Sequence, residues 1–293
     1  MFYSLLLGLL LSFSSAYAQD AENFPTFTEH TIRKGQSLFK IAQAYDLGMD
    51  EILRANPNII DPTKITAGKK IILPTTHLFP DARKDGIVIN LSEPRLYFYF
   101  EGEGVSFPIS VGKDDRTPTG RTKISEKIEN PTWTPPASIH AENPKLPDVV
   151  PAGPNNPLGK FAFRLNALKN RKWQRIMIHG TNEPWSVGAP VSHGCIRLYP
   201  QDIETLFGKA EINTPVAIVN QPIKIQEIND EVYMEVSFQE MPEVASENLG
   251  VRKMICKKVK NCENRINWDK AHDTVAQNRG VVVKISNEEE AEG

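Results

Sequence analysis

Apolar and polar positions alternate along the chain in several rhythms, and each rhythm predicts a different element. Glu29 to Ile32 alternate as a short strand, Lys34-Gly35 turns, and Leu38, Ile41, Ala42 and Tyr45 recur at helical spacing behind Ser37, a residue able to cap them. A second helix is predicted from Asp50, with Ile52 and Leu53 inward, ending near Asn56-Pro57. Ala67-Gly68-Lys69 then turns into a strand, Lys70 to Leu73, that Pro74 terminates. From Asp85 the period is two: Ile87, Ile89 and Leu91, then Arg95 to Phe100 after a Glu93-Pro94 break, then Val105 to Val111 after Glu101 to Gly104, a β-meander in sequence. Between Trp133 and Pro157 prolines are too dense for regular helix or central strand, and the stretch is long for a connector, so it is predicted to be a lid or substrate-binding insertion. Arg175 to Ile178 reads as a buried strand delivering His179 to a rim, Pro200 opens a helix with Ile203, Leu206 and Phe207 on one face, and Thr214 to Val219 forms the last strand of this body. Beyond Pro222 the pattern gives a hairpin about Asn229-Asp230, two short helices, one carrying Cys256 and the other Ala271 to Gln277, a strand Val281 to Ile285, and an acidic tail. The fold class is therefore mixed: a small βααβ unit at 27–75, a mainly-β body at 85–220 and a small α/β appendage at 221–293 whose role the sequence does not reveal.

A chain of 293 residues exceeds what one core usually fills, in keeping with these separate units. A net charge of -2 leaves no electrostatic footprint for nucleic acid. Residues 1–18 hold no charged side chain: a leucine-rich run from Leu5 to Phe13 leads to Ser14-Ser15-Ala16-Tyr17-Ala18, the pattern of a secretory signal cleaved after Ala18, although its start lacks Lys or Arg. The run is too short to span a bilayer comfortably, and no membrane span is expected after cleavage, with an uncleaved anchor as the lesser alternative. Of three cysteines, Cys256 and Cys262 are the natural disulfide pair, leaving Cys195 free. Six residues apart on one continuous helix their Cα atoms would lie about 9 Å apart, beyond disulfide reach, so pairing requires a break, for which Asn261 to Asn264 offers the place.

The candidate chemistry lies in His179-Gly180-Thr181-Asn182 and Ser192-His193-Gly194-Cys195-Ile196-Arg197-Leu198. A thiol beside imidazoles suits acyl transfer: the imidazole takes the thiol proton, and glycine lets backbone N–H groups approach the developing oxyanion. His179 is favoured as the base, because His193, two positions from Cys195, is held apart from it by the backbone. Two plainer readings stand beside this one: Cys195 as an inert small hydrophobe, or Cys195 with the two histidines as a zinc site, for which no regular Cys or His pair supplies the further ligand. No cofactor or metal is expected.

The pattern of His179-Gly180, twelve residues, then Ser192-His193-Gly194-Cys195-Ile196-Arg197-Leu198 resembles the signature of the L,D-transpeptidase catalytic domain of cell-wall enzymes, and Thr117-Pro118-Thr119-Gly120 matches a short turn of the same family. The resemblance implies that Cys195 attacks a peptidoglycan tetrapeptide stem, that D-alanine leaves, and that the thioester passes to an amine. It assigns His179 as proton donor and acceptor, the Gly180 carbonyl as its orienter, and the backbone around His193, Gly194 and Cys195, after Ser192, as the oxyanion hole. Arg197 would anchor substrate or shape the pocket, His193 would assist, and carbapenems would acylate Cys195. Thr117 to Gly120 are read as turn formers without a direct role. The run Val149 to Gly159 resembles a periplasmic branch that includes enzymes attaching an outer-membrane lipoprotein to the wall. The strand–helix–helix–strand unit, with His30 to Tyr45, the segment Leu53 to Pro57 and the closing Ala67 to Pro74, resembles a LysM module, which implies binding to peptidoglycan glycan and attachment mainly through raised local concentration. The acceptor stays open among a wall cross-link, a lipoprotein or other surface-protein amine, a free D-amino acid, or water, the last making a hydrolase. The rival from another class is a non-catalytic LysM wall-binding or structural protein.

Overall fold

The computed structural model describes residues 24, 26–114, 116–166, 176–238 and 250–288. The leader expected at 1–18 and the acidic tail beyond Glu288 lie outside the described residues.

The N-terminal unit runs β1 (Thr28–Thr31), α1 (Leu38–Ala44), α2 (Met49–Ala55), β2 (Lys70–Leu73), with β1 and β2 antiparallel. Ser37 caps α1 by accepting the Lys40 N–H at 3.3 Å. Leu38, Ile41, Ala42, Ile52, Ile71 and Leu73 close a small core.

The central unit contains β3 (Gly86–Asn90), β4 (Arg95–Phe100), β5 (Glu103–Gly112), β6 (Gly120–Glu129), α3 (Ala137–Glu142), β7 (Phe161–Leu165), β8 (Met177–His179), β9 (Pro190–Ser192), β10 (Ile196–Leu198), α4 (Pro200–Lys209) and β11 (Pro215–Val219). The expected meander is β3 to β5, paired antiparallel. Strand order is β10-β8-β7-β6-β11-β3-β4-β5-β9, and β10 also pairs with β5, so eight of these strands close into a ring around an apolar core that includes Ile87, Phe163, Ile178, Ile196 and Ile218. The mainly-β body is as the alternation predicts. The Pro-rich stretch differs in one respect, for α3 forms inside it. Pro136 stands before the helix as its N-cap, and the next proline is Pro144, so one short proline-free window remains.

The C-terminal unit is β12 (Ile223–Ile228), β13 (Glu231–Val236), α5 (Val251–Lys258), α6 (Cys262–Arg265), α7 (Trp268–Gln277) and β14 (Val283–Lys284). The β12–β13 turn puts Asn229 and Asp230 at positive φ, 51° and 64°, the backbone that favours these residue types in a two-residue hairpin. An additional one-turn helix, α6, starts after Asn261 at φ 53°, and this break brings the Cys256 and Cys262 Cα atoms to 5.2 Å, where the disulfide forms. The last strand is shorter than the apolar run suggests, with Val282 and Ile285 buried beside it.

The N-terminal unit is docked, not merely tethered. Arg95 on β4 donates from Nη1 to Glu51 Oε1 and Oε2 at 2.7 and 3.0 Å and from Nη2 to the Asp46 carbonyl at 2.9 Å; both side chains of the ion pair are buried. Glu51 also accepts the Gly48 N–H at 2.5 Å, and the Tyr199 hydroxyl donates to the Leu47 carbonyl at 3.0 Å. On the other side Arg279 Nε donates to the Ala55 carbonyl at 3.2 Å, and buried Lys224 on β12 joins Glu93, Glu235 (2.8 Å) and the Leu78 carbonyl (2.7 Å). The unit therefore has a fixed orientation on the body.

One buried carboxyl at this seam has a measurable consequence. Asp202, in the first turn of α4, is pushed up to about 7 by burial and by the nearby Asp46 carboxylate, against the opposing Arg95 charge; its Oδ2 has no hydrogen-bond partner among the described residues. The folded protein thus holds a proton more tightly than the unfolded chain, so this site's contribution to stability is lost as pH rises from about 4 to about 7. Asp202→Asn should raise the melting temperature more at pH 8 than at pH 5; an equal shift at both would remove Asp202 as the cause.

Candidate active site

The site is assembled where β8, β10 and the end of β5 meet. In the parallel pairing of β10 with β8, Ile196 faces Ile178 and Arg197 faces His179, and on its other edge Arg197 faces Ser110 of β5. The residue that ends β8 and the segment that starts β10 are therefore neighbours, although their histidine and cysteine are sixteen positions apart. His179 is buried, and its Nδ1 lies 2.6 Å from the Gly180 carbonyl oxygen. A carbonyl only accepts, so Nδ1 carries the proton and the Nε2 lone pair is left available as a base. Gly180 is also a packing requirement, since a Cβ there would sit 3.1 Å from Ile203 Cγ2 of α4.

Burial pushes the His179 imidazole down to about 4 and the Arg197 charge adds to this, while the Gly180 carbonyl opposes it. Burial raises the Cys195 thiol, opposed by a backbone hydrogen bond from Met177 and by Arg197. At neutral pH the resting pair is thus thiol and neutral imidazole, and a pre-ionised thiolate is not what the surroundings favour. Arg197 acts on both partners, and its buried Nε has no hydrogen-bond partner among the described residues.

Three backbone features shape the turn carrying Cys195. Gly194 has φ 121°, and a Cβ would meet the Arg116 carbonyl at 3.0 Å and Ile176 Cδ1 at 3.1 Å. Ser192, buried on β9, donates to the Cys195 carbonyl at 2.6 Å and accepts the Gly194 N–H at 3.1 Å. The Gly194 amide is thus engaged by Ser192. Thr117, taken from the sequence as a turn former, is buried; its Oγ1 accepts the Gly112 N–H at 2.8 Å and donates to the Gly194 carbonyl at 2.9 Å. The Gly112 Cα lies so close to this turn that a Cβ would fall 2.8 Å from Gly194 Cα. Its neighbourhood, a threonine between a strand end and a prolyl turn, gave no sequence signal beyond the turn itself. His193 is partly exposed, and its Nε2 pairs with Glu142 Oε1 of α3 at 3.2 Å, which links the Pro-rich segment to the motif. Among the described residues the zinc alternative finds no support, for the clusters of metal-type ligands are Cys256, Cys262 and Glu263, and His77, Glu93 and Glu235, neither containing Cys195.

The sequence has relatives among known proteins. The chain is similar to a probable L,D-transpeptidase of Escherichia coli, YcfS, at 44% identity over 200 residues, covering 65% of this chain and 61% of YcfS. It is similar to the putative L,D-transpeptidase YqjB of Bacillus subtilis at 32% identity over 141 residues, 48% of this chain and 73% of that protein. The L,D-transpeptidase catalytic domain of the YkuD type matches residues 84–218, and the LysM domain matches residues 30–74. The chain belongs to the L,D-transpeptidase family. It spans just under two thirds of the length of YcfS. Among solved structures, L,D-transpeptidase 3 of Mycobacterium tuberculosis is similar with a TM-score of 0.36 at 19% identity, over 46% of this chain and 60% of that one, a likeness too slight to carry functional weight.

Two experiments probe the geometry. Because burial raises the thiol, Cys195 alkylation by iodoacetamide should keep accelerating beyond pH 9, with no plateau between pH 5 and 7; such a plateau would reveal a resting thiolate–imidazolium pair. Thr117→Val should lower unfolding stability by roughly 1–3 kcal/mol in urea titration, through the stranded Gly112 N–H and Gly194 carbonyl, and Thr117→Ser should recover most of it.

Proposed function

We propose that this protein is a cysteine L,D-transpeptidase that cleaves peptidoglycan tetrapeptide stems through an acyl-enzyme. The observation that carries the reading is His179 with its proton on Nδ1, neutral at physiological pH, on the strand hydrogen-bonded beside the one that follows Cys195. As the Cys195 Sγ attacks the stem carbonyl, its proton moves to His179 Nε2. The backbone around His193, Gly194 and Cys195 receives the charge on the carbonyl oxygen, and collapse of the tetrahedral adduct breaks the C–N bond. His179 returns the proton to the departing D-alanine amine, leaving a thioester. An acceptor amine then loses a proton to His179, attacks the thioester and restores the thiol. Arg197, whose buried Nε has no hydrogen-bond partner among the described residues, suits the anchoring of substrate. The acceptor is a wall diaminopimelate, a lipoprotein or surface-protein lysine, a free D-amino acid or water. The LysM domain would hold the glycan, and the leucine-rich start would send the enzyme to the periplasm. The non-catalytic alternative leaves the Nδ1–Gly180 bond and the Ser192 and Thr117 supports without a use.

Intact-protein mass spectrometry of the reduced enzyme mixed with a disaccharide tetrapeptide should show a tripeptide-sized adduct and free D-alanine, both lost in Cys195→Ala. Candidate amines added afterwards identify the acceptor by discharge of the adduct. Neither product from fresh, reduced protein would defeat the reading.

A further inference from the structure

Trp185 is an exception to the usual fate of a large aromatic, being 62% exposed. It is also held rigidly. Its one-turn 3-10 segment, Pro184–Ser186, lies on the connection between β8 and β9, so on the loop that joins the strand of His179 to the strand leading into Cys195. Pro184 fixes the first position, Glu183 N–H donates to Thr181 Oγ1 at 2.9 Å, Ser186 Oγ donates to the Glu183 carbonyl at 2.7 Å, and Ser110 Oγ of β5 donates to the Ser186 carbonyl at 2.5 Å. Two residues further on the same loop touches the LysM domain backbone to backbone. A Cβ on Gly188 would fall 2.5 Å from Gly48 Cα and 2.8 Å from Met49 N. The exposed indole is thus mounted on a stiff loop that contacts the glycan-binding domain at one end and the catalytic strands at the other.

We infer that Trp185 is a sugar-stacking subsite, which takes the N-acetylated sugar bearing the stem peptide while the stem carbonyl lies at Cys195. The inference rests on the transpeptidase reading and adds a recognition element to it. A pyranose ring shows an apolar face of C–H groups with its hydroxyls around the rim, and a flat indole covers that face at small entropic cost when its backbone is already fixed. The bond to be cleaved lies three residues from the sugar, a reach of roughly 10 Å in an extended chain, which suits a platform on the adjoining loop rather than on a distant unit. The docking of the LysM domain supports the same surface, since a fixed orientation lets one glycan strand touch the domain and Trp185 together.

The test compares two donors, the free tetrapeptide and the disaccharide tetrapeptide, on the full chain. For Trp185→Ala the ratio of kcat/KM for the sugar-bearing donor to that for the free peptide should fall about ten-fold, mainly through KM, and Trp185→Tyr should restore much of it. A ratio equal to that of the parent enzyme overturns the inference. A second readout does not need turnover. Residues 27–75 contain no tryptophan, so quenching of indole emission on adding the disaccharide tetrapeptide to Cys195→Ala protein reports a site outside the LysM domain. That quenching should vanish on adding Trp185→Phe, and undiminished quenching would also overturn the inference. Quenching that depends on Trp185 in an enzyme that forms no adduct would sustain the subsite and fail the transpeptidase reading alone.

Discussion

The register of β10 is the constraint on which the site depends. One short strand is hydrogen-bonded in parallel to β8 and antiparallel to β5, and those two ladders both close the ring and set Arg197 beside His179. With the register fixed, the segment just before β10 has little room. Gly112 and Gly194 approach so closely that neither tolerates a side chain, and Ser192 and Thr117 collect the amides and carbonyls that the tight turn would otherwise bury unpaired. Cys195 is positioned by backbone packing, and its surroundings are set by the chain itself.

A second constraint is the number of charges buried where the three units meet. Glu51 with Arg95, and Lys224 with Glu93 and Glu235, are nearly inaccessible. Removing one member of such a pair is strongly unfavourable because its partner stays buried, so the arrangement specifies one orientation of the units more than it adds stability. Lys224 also explains why His77, Glu93 and Glu235 do not call for a metal: its ammonium already lies between the two carboxylates. Burial drives the His77 imidazole down to about 3, which keeps it neutral in a seam already supplied with cations.

Much of this was legible in the alternation of apolar residues. The βααβ unit, the meander, the hairpin at Asn229-Asp230 and the helix behind Pro200 each announce themselves through a local period and a local breaker. What was not legible depends on distant partners. No period marks Arg95 as the partner of Glu51, and none tells that Thr117 meets Gly194 across the sheet. The short helix α3 was missed because proline density was read as an average over the stretch, whereas helix formation depends on the gap between Pro136 and Pro144. Sequence gives the need for glycine at Gly194 but not the bond of its amide to Ser192.

The protonation state of the pair also bears on how a reactive thiol coexists with a disulfide in one chain. Surroundings that let Cys256 join Cys262 oxidise thiolates fastest, and the rate of exchange or oxidation follows the fraction of thiolate present. A buried thiol with a raised pKa exposes little of it. Under the proposed acyl-transfer reading the same shift favours attack once substrate is bound, because a thiolate of higher basicity is the stronger nucleophile, and His179, with its proton on Nδ1, would form it through Nε2 during attack. On that reading burial at Cys195 reconciles persistence as a thiol outside the disulfide with attack on a positioned carbonyl, and it does so only if the proton moves together with the attack.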